Sequence, residues 1–246
     1  MKTNTYRLLT LACAVLGLLS LTSTARAEAE PKHPLKPLLW KVEGKGLTQP
    51  SYLFGTIHIS KGPVVTLHPA VQEAFDASSN FYAEISFDPV SQVKSMPLML
   101  RKDGKKLDEA IGEDLAAGLN AELKLISPAL DSSPFQLMST WVAATLTQLL
   151  PYQIGGKPLD LQLWEKAAAA GKKAAGMEAT EAQLICFTEL TEAEQVTLLA
   201  ETLKGMKKER AEGKDVSKDL IAAYVSGEPT EVAAKVDQRM QEMAKG

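Results

Sequence analysis

Residues 39–43 and 51–57 are two short apolar runs separated by a polar stretch containing Gly44-Lys45-Gly46, and the second runs into Gly55-Thr56-Ile57-His58. Runs of this length bounded by glycine are strands joined by a turn. Directly after them, 69–77 places Val71, Ala74 and Phe75 at helical spacing, and 81–87 is a further short apolar run. Strand, helix and strand at this spacing match a crossover connection, so 51–57 and 81–87 are predicted to lie parallel. A third such strand is expected over 173–177. The fold class that follows is α/β, with a short, mostly parallel sheet that includes 51–57, 81–87 and 173–177, flanked by helices and carrying a helical insertion over about 105–155.

The insertion is helical by pattern. Ser133-Pro134-Phe135-Gln136 has the form of an N-cap, a proline at the first helical position and a capping glutamine. Phe135, Met138, Val142, Leu146 and Leu149 then form one face, and Pro151 is expected to end the helix. A helix over 159–170 follows. Thr180 with Gln183, and Thr191 with Glu194, are two more expected capping boxes. Helices over 216–225 and 229–244 close the chain, the last with Val232, Val236, Met240 and Met243 on its buried side. Trp141 and Trp164 are read as core, Cys186 as a small core residue beside Ile185 and Phe187, and the mixed-charge run 204–214 as a solvated helix end or loop.

Chemistry is expected at the strand ends. His58 is the only one of three histidines set at the end of an apolar strand, beside a glycine that lets backbone approach a ligand. Glu84 and Glu178 fall at the ends of the other two strands, and open α/β sheets gather ligands at such carboxyl ends. His58 and Glu84 are candidate ligands for a divalent metal (Mn, Co or Zn), with Glu84 alternatively the base that activates a water; His58, Glu84 and Glu178 together are the candidate catalytic set, expected within roughly 10 Å of one another. Asp160 either joins them or caps its helix. His68, before Pro69, is read as a cap or surface residue, and His33 as part of a linker.

Several blocks of this chain resemble the TraB/PrgY/GumN family, which includes metalloproteases. Leu38-Leu39-Trp40-Lys41-Val42 with Ser51-Tyr52-Leu53-Phe54-Gly55-Thr56-Ile57-His58 is similar to the family's opening run. Leu67-His68-Pro69-Ala70-Val71 through Phe81-Tyr82-Ala83-Glu84-Ile85 resembles its next helix and glutamate-bearing strand. Leu159-Asp160, Gly171-Lys172 and Gly176-Met177-Glu178-Ala179-Thr180-Glu181 resemble its central block. The resemblance implies a metal-dependent hydrolase of protease type acting on a peptide or small molecule. It also implies a second Gly-x-x-His near the C-terminus, and no histidine follows His68 here. The chain is thus expected to be shortened or to have lost that site. Either case leaves one histidine where the resemblance implies two, and a terminal strand lost from beside 51–57 would leave an unpaired strand edge or apolar groove that the last helix, a partner or a second copy would cover. The rival reading is a non-catalytic envelope protein that binds a ligand or partner in the same crevice; a more distant one is a haem or iron carrier using His58 or Tyr82.

The setting comes from the N-terminus. Lys2 and Arg7 precede an apolar run over 8–21 and then Ala25-Arg26-Ala27, the three parts of an export signal, so 1–27 is read as a signal peptide, 28–37 as a linker and 38–246 as one domain. Export to the periplasm or beyond is expected, with no stable membrane span after cleavage. Removing Lys2, Arg7 and Arg26 takes the balance from 27 basic against 30 acidic residues to 24 against 30. Such a charge excludes nucleic acid as the expected partner, because binding phosphates rests on Lys and Arg. Of the two cysteines only Cys186 survives cleavage, so no internal disulfide is expected.

Overall fold

The computed structural model describes residues 32–214 and 216–243. The signal-peptide reading over 1–27 and the first part of the linker lie outside the described residues. The remaining part of the linker is anchored: the Leu35 amide donates to Val225 O at 2.9 Å, Lys36 pairs with Glu228 at 2.5 Å, and the His33 and His68 rings meet edge to face at 4.9 Å.

Strand β1 (Leu39–Val42) pairs antiparallel with β2 (Ser51–Phe54), in the register Leu39 to Phe54 and Val42 to Ser51. Helix α1 (Pro69–Ala77) follows, with the His68 ring accepting from the Ala70 amide as its N-cap and Pro69 at the first helical position. Strand β3 (Asn80–Ile85) then pairs parallel with β4 (Lys173–Glu178), Asn80 opposite Lys173 and Ile85 opposite Glu178. Between them lie α2 (Pro89–Met99), α3 (Leu107–Ile111), α4 (Glu113–Ile126), α5 (Thr140–Gln153) and α6 (Leu159–Ala169). After β4 come α7 (Thr180–Thr188), α8 (Glu192–Ala211), α9 (Val216–Ser226) and α10 (Pro229–Met243). Among the described residues no helix is long and apolar enough to cross a membrane.

The α/β class holds, with a parallel strand pair flanked by helices. The expected single sheet does not: β2 belongs to the hairpin, and β3 and β4 form a separate two-stranded sheet. The nearer partner in sequence wins, since β1 closes onto β2 across one short loop, and Gly55 N extends the pairing by donating to Leu38 O at 2.9 Å. The crossover through α1 therefore links two sheets rather than neighbours in one.

The helical insertion holds as well, with shifted ends. Ser133–Phe135 is a single 3-10 turn, and α5 begins only at Thr140 and passes through Pro151 to Gln153. Pro151 sits in the last turn, whose carbonyls have no donor within the helix and are open to others; Lys61 Nζ donates to Pro151 O at 3.2 Å. Thr191 and Glu194 form the expected capping box, whereas Thr180 does not cap: Ala179 is the N-cap of α7, and Gln183 reaches back to Glu178. Cys186 is exposed, because α7 buries none of its residues fully.

Two cores result. The larger joins α3, α4, α5 and α8 through Leu107, Leu119, Leu123, Ala143 and Leu199, each wholly buried. Burying a leucine contributes about 1.5–3 kcal/mol, so these few side chains set the stability of the helical layer. Its edge holds two buried polar arrangements: Glu122 paired with Arg210, and the Arg101 guanidinium with Asp103, Glu192 and Thr140. The smaller core packs Leu38, Ile59 and Val64 against Tyr224 of α9. Between them, Trp164 of α6 takes Phe81 and Phe87 edge to face at 6.3 and 5.7 Å, which seats the β3–β4 sheet on α6.

Candidate functional site

Beyond β2 the chain runs through Gly55 to Ser60, and this loop is tied down at several points. The buried Tyr224 hydroxyl donates to Gly55 O at 2.8 Å, and burial pushes its pKa up to about 12, so it remains a neutral donor across the physiological range. Ser60 donates twice to Tyr152 O, from its amide and its Oγ, both at 2.9 Å. Gly156 passes so close beneath that a Cβ there would lie 2.3 Å from Ser60 O. Ile59 is buried beside these contacts while His58 remains half exposed, so the loop's packing turns the imidazole outward.

The imidazole meets Asp160, not Glu178. His58 Nδ1 lies 3.3 Å from Asp160 Oδ2, an ion-pair contact between a side chain 50 % exposed and one 17 % exposed. Asp160 sits in the first turn of α6, whose N-cap is Pro158, and its carboxylate serves the histidine rather than a backbone cap. The hydrogen bond to Asp160 raises the His58 pKa above the ordinary imidazole value; burial opposes this, and the charges of Asp160 and Glu84 add to the rise. Asp160 Oδ1 is buried and has no hydrogen-bond partner among the described residues. A buried carboxylate oxygen left open is a seat for a water or a ligand donor.

His58, Glu84 and Asp160 all line one cavity of about 1520 Å³ that also takes in β2, β3 and the hairpin turn. Glu84 acts on His58 through its charge. Glu178, opposite Ile85 in the β3–β4 ladder, ends β4 exposed, accepts from Gln183 Nε2 at 2.8 Å and does not line the cavity, though Gln183 and Met177 do. Tyr224, Tyr152 and Gln153, the last with a long 3.5 Å bond to His58 O, have no signature in sequence, since their contacts to the loop span more than ninety residues.

A divalent metal needs three or more donors around one point, and among the described residues no three His, Cys, Asp or Glu side chains are so grouped. The donor chemistry agrees: one histidine nitrogen is turned to Asp160, which leaves one imidazole nitrogen and carboxylate oxygens to face the cavity. These residues do not by themselves fit a tightly held ion.

An α/β domain with a histidine–carboxylate pair at the mouth of a crevice is thus the class that fold and site define. The family model for the TraB/PrgY/gumN family matches residues 38–246, and the chain belongs to that family. It is similar to a Danio rerio protein named metalloprotease TIKI2, 25 % identical over 227 residues, a match covering 79 % of this chain and 43 % of that relative. The chain therefore spans less than half the length of the curated relative it matches. No solved structure matches it.

Proposed function

We propose that the protein is an exported peptide hydrolase in which His58 is the general base, oriented by Asp160. The observation that carries this reading is the 3.3 Å contact from His58 Nδ1 to Asp160 Oδ2 at the edge of the cavity. With Nδ1 engaged, Nε2 is the nitrogen left to take a proton from an attacking water, and the imidazolium so formed is stabilised by Asp160 and by the charge of Glu84. Asp160 Oδ1, buried and without a partner among the described residues, is left to accept from a second, structural water on the Nδ1 side of the ring. A metal such as Mn, Co or Zn needs at least one ligand beyond the described residues, and no step above depends on it. Similarity to a protein named a metalloprotease supports the peptide class, and the charged, apolar and small-residue segments of 1–27 support export.

The absence of a three-donor group among the described residues favours the rival, a binding protein that uses the same crevice. One experiment separates them. A proteome-derived peptide mixture is incubated with the purified chain and with H58Q, and new termini are read by mass spectrometry. Cleavage by the first that disappears with the second is expected; equal traces from both would leave the binding reading in its place.

A further inference from the structure

Among the described residues, strand β2 pairs only with β1, and β3 only with β4. Yet every residue of Ser51–Phe54 and of Asn80–Ile85 lines the same cavity. Successive side chains of a strand point to opposite faces, so a cavity touched by all of them reaches the strand edges, while Leu39 and Trp40 of β1 and Met177 of β4 carry it over part of a face as well. Among the described residues no backbone hydrogen bond outside the two ladders reaches either strand. The crevice is therefore walled on two sides by unused backbone donors and acceptors.

We propose that an extended peptide enters this crevice as a strand, pairing with β2 along one edge and β3 along the other and joining the two small sheets into one. This names the mode in which the substrate of the proposed hydrolysis is held, and in its catalytic part it rests on that reading. Only an extended polypeptide offers alternating donors and acceptors along both edges at the repeat of a strand, which is how sheet edges recognise peptides. Leu53, Tyr82 and Met177, exposed by 57, 53 and 65 %, line the same cavity and offer apolar seats for alternate side chains. Affinity would come from the backbone and a loose preference from these seats. Because His58, Asp160 and Glu84 line the cavity too, a strand held there passes its carbonyls along the base.

The test separates binding from turnover by using the full chain carrying H58Q. A synthetic pool of randomised ten-residue peptides is passed over it, retained members are sequenced, and the best is remade with N-methyl groups on alternate backbone amides, in each of the two phases. Methylation in either phase is expected to weaken binding about tenfold or more, the loss of two or so backbone hydrogen bonds on one edge. Bound peptide is also expected to slow amide exchange in both 51–54 and 80–85. Retention of no peptide, tolerance of methylation in either phase, or full exchange protection of both segments before any peptide is added would overturn the proposal; the last would mean that a strand of the chain itself or of a second copy already fills the crevice. Peptides that bind in this way but are released uncut by the unmodified chain would leave the strand mode standing and remove the hydrolytic reading.

Discussion

His58 and Asp160 form a pair whose titration can be followed directly. The imidazole pKa is raised in the folded chain, chiefly by its hydrogen bond to Asp160. In D160N it is expected to fall toward or below the ordinary value of about 6.5, observable as a shifted His58 ring resonance in an NMR titration. The same shift gives a pH dependence of stability. A raised folded pKa stabilises the fold fully below the unfolded value and loses that contribution as pH rises through the folded value, so the stability gap between the parent chain and D160N should narrow from mildly acidic to alkaline pH in urea titrations. Tyr224 acts one step back. Y224F leaves Gly55 O without its donor and is expected to cost about 1 kcal/mol in urea unfolding, with a broadened His58 resonance. Of these residues only His58 announces itself in sequence, by strand end and glycine. Asp160 reads equally well as a helix cap, because an acid in a first turn is favoured there whether or not a histidine lies across from it.

Elements show the same division between local and long-range signals. Caps at His68 and Thr191, the β1–β2 hairpin and the α6–β4 boundary follow from neighbouring residues and are legible. The start of α5 is not: Ser133 carries every mark of a helix start, but the chain first makes a 3-10 turn whose Phe135 enters the larger core, and Thr140 begins the helix beside Glu192. Tertiary burial overrides the local cap there. Two substitutions probe how elements hold the site. G156A would force the α5–α6 connection away from Ser60, and is expected to return the His58 titration toward its ordinary value without emptying the larger core. L119A removes a wholly buried side chain of α4 and is expected to cost about 2–5 kcal/mol in thermal or urea unfolding while leaving the His58 titration where it was.

At the scale of the molecule, the α/β class and the helical insertion are legible, because they need only the order of periodic segments. The pairing of strands is not, since β2 and β3 are equally apolar whether they are neighbours or face one another across a gap. That gap, lined by both strands, sets what the crevice can hold. Its described side chains give one histidine and carboxylates, so any Mn, Co or Zn taken up is expected to be weakly held and removed by dialysis against a chelator, as read by elemental analysis.

The most direct measurement is the pH–rate profile of peptide cleavage by the parent chain and by D160N. If His58 is the base and Asp160 its orienting partner, the rate of the parent chain rises with pH through the raised imidazole pKa, and in D160N that limb moves to lower pH while the maximum rate falls. A limb in the same place for both, or a maximum rate unchanged by the loss of the Asp160 charge, would contradict the assignment of the pair.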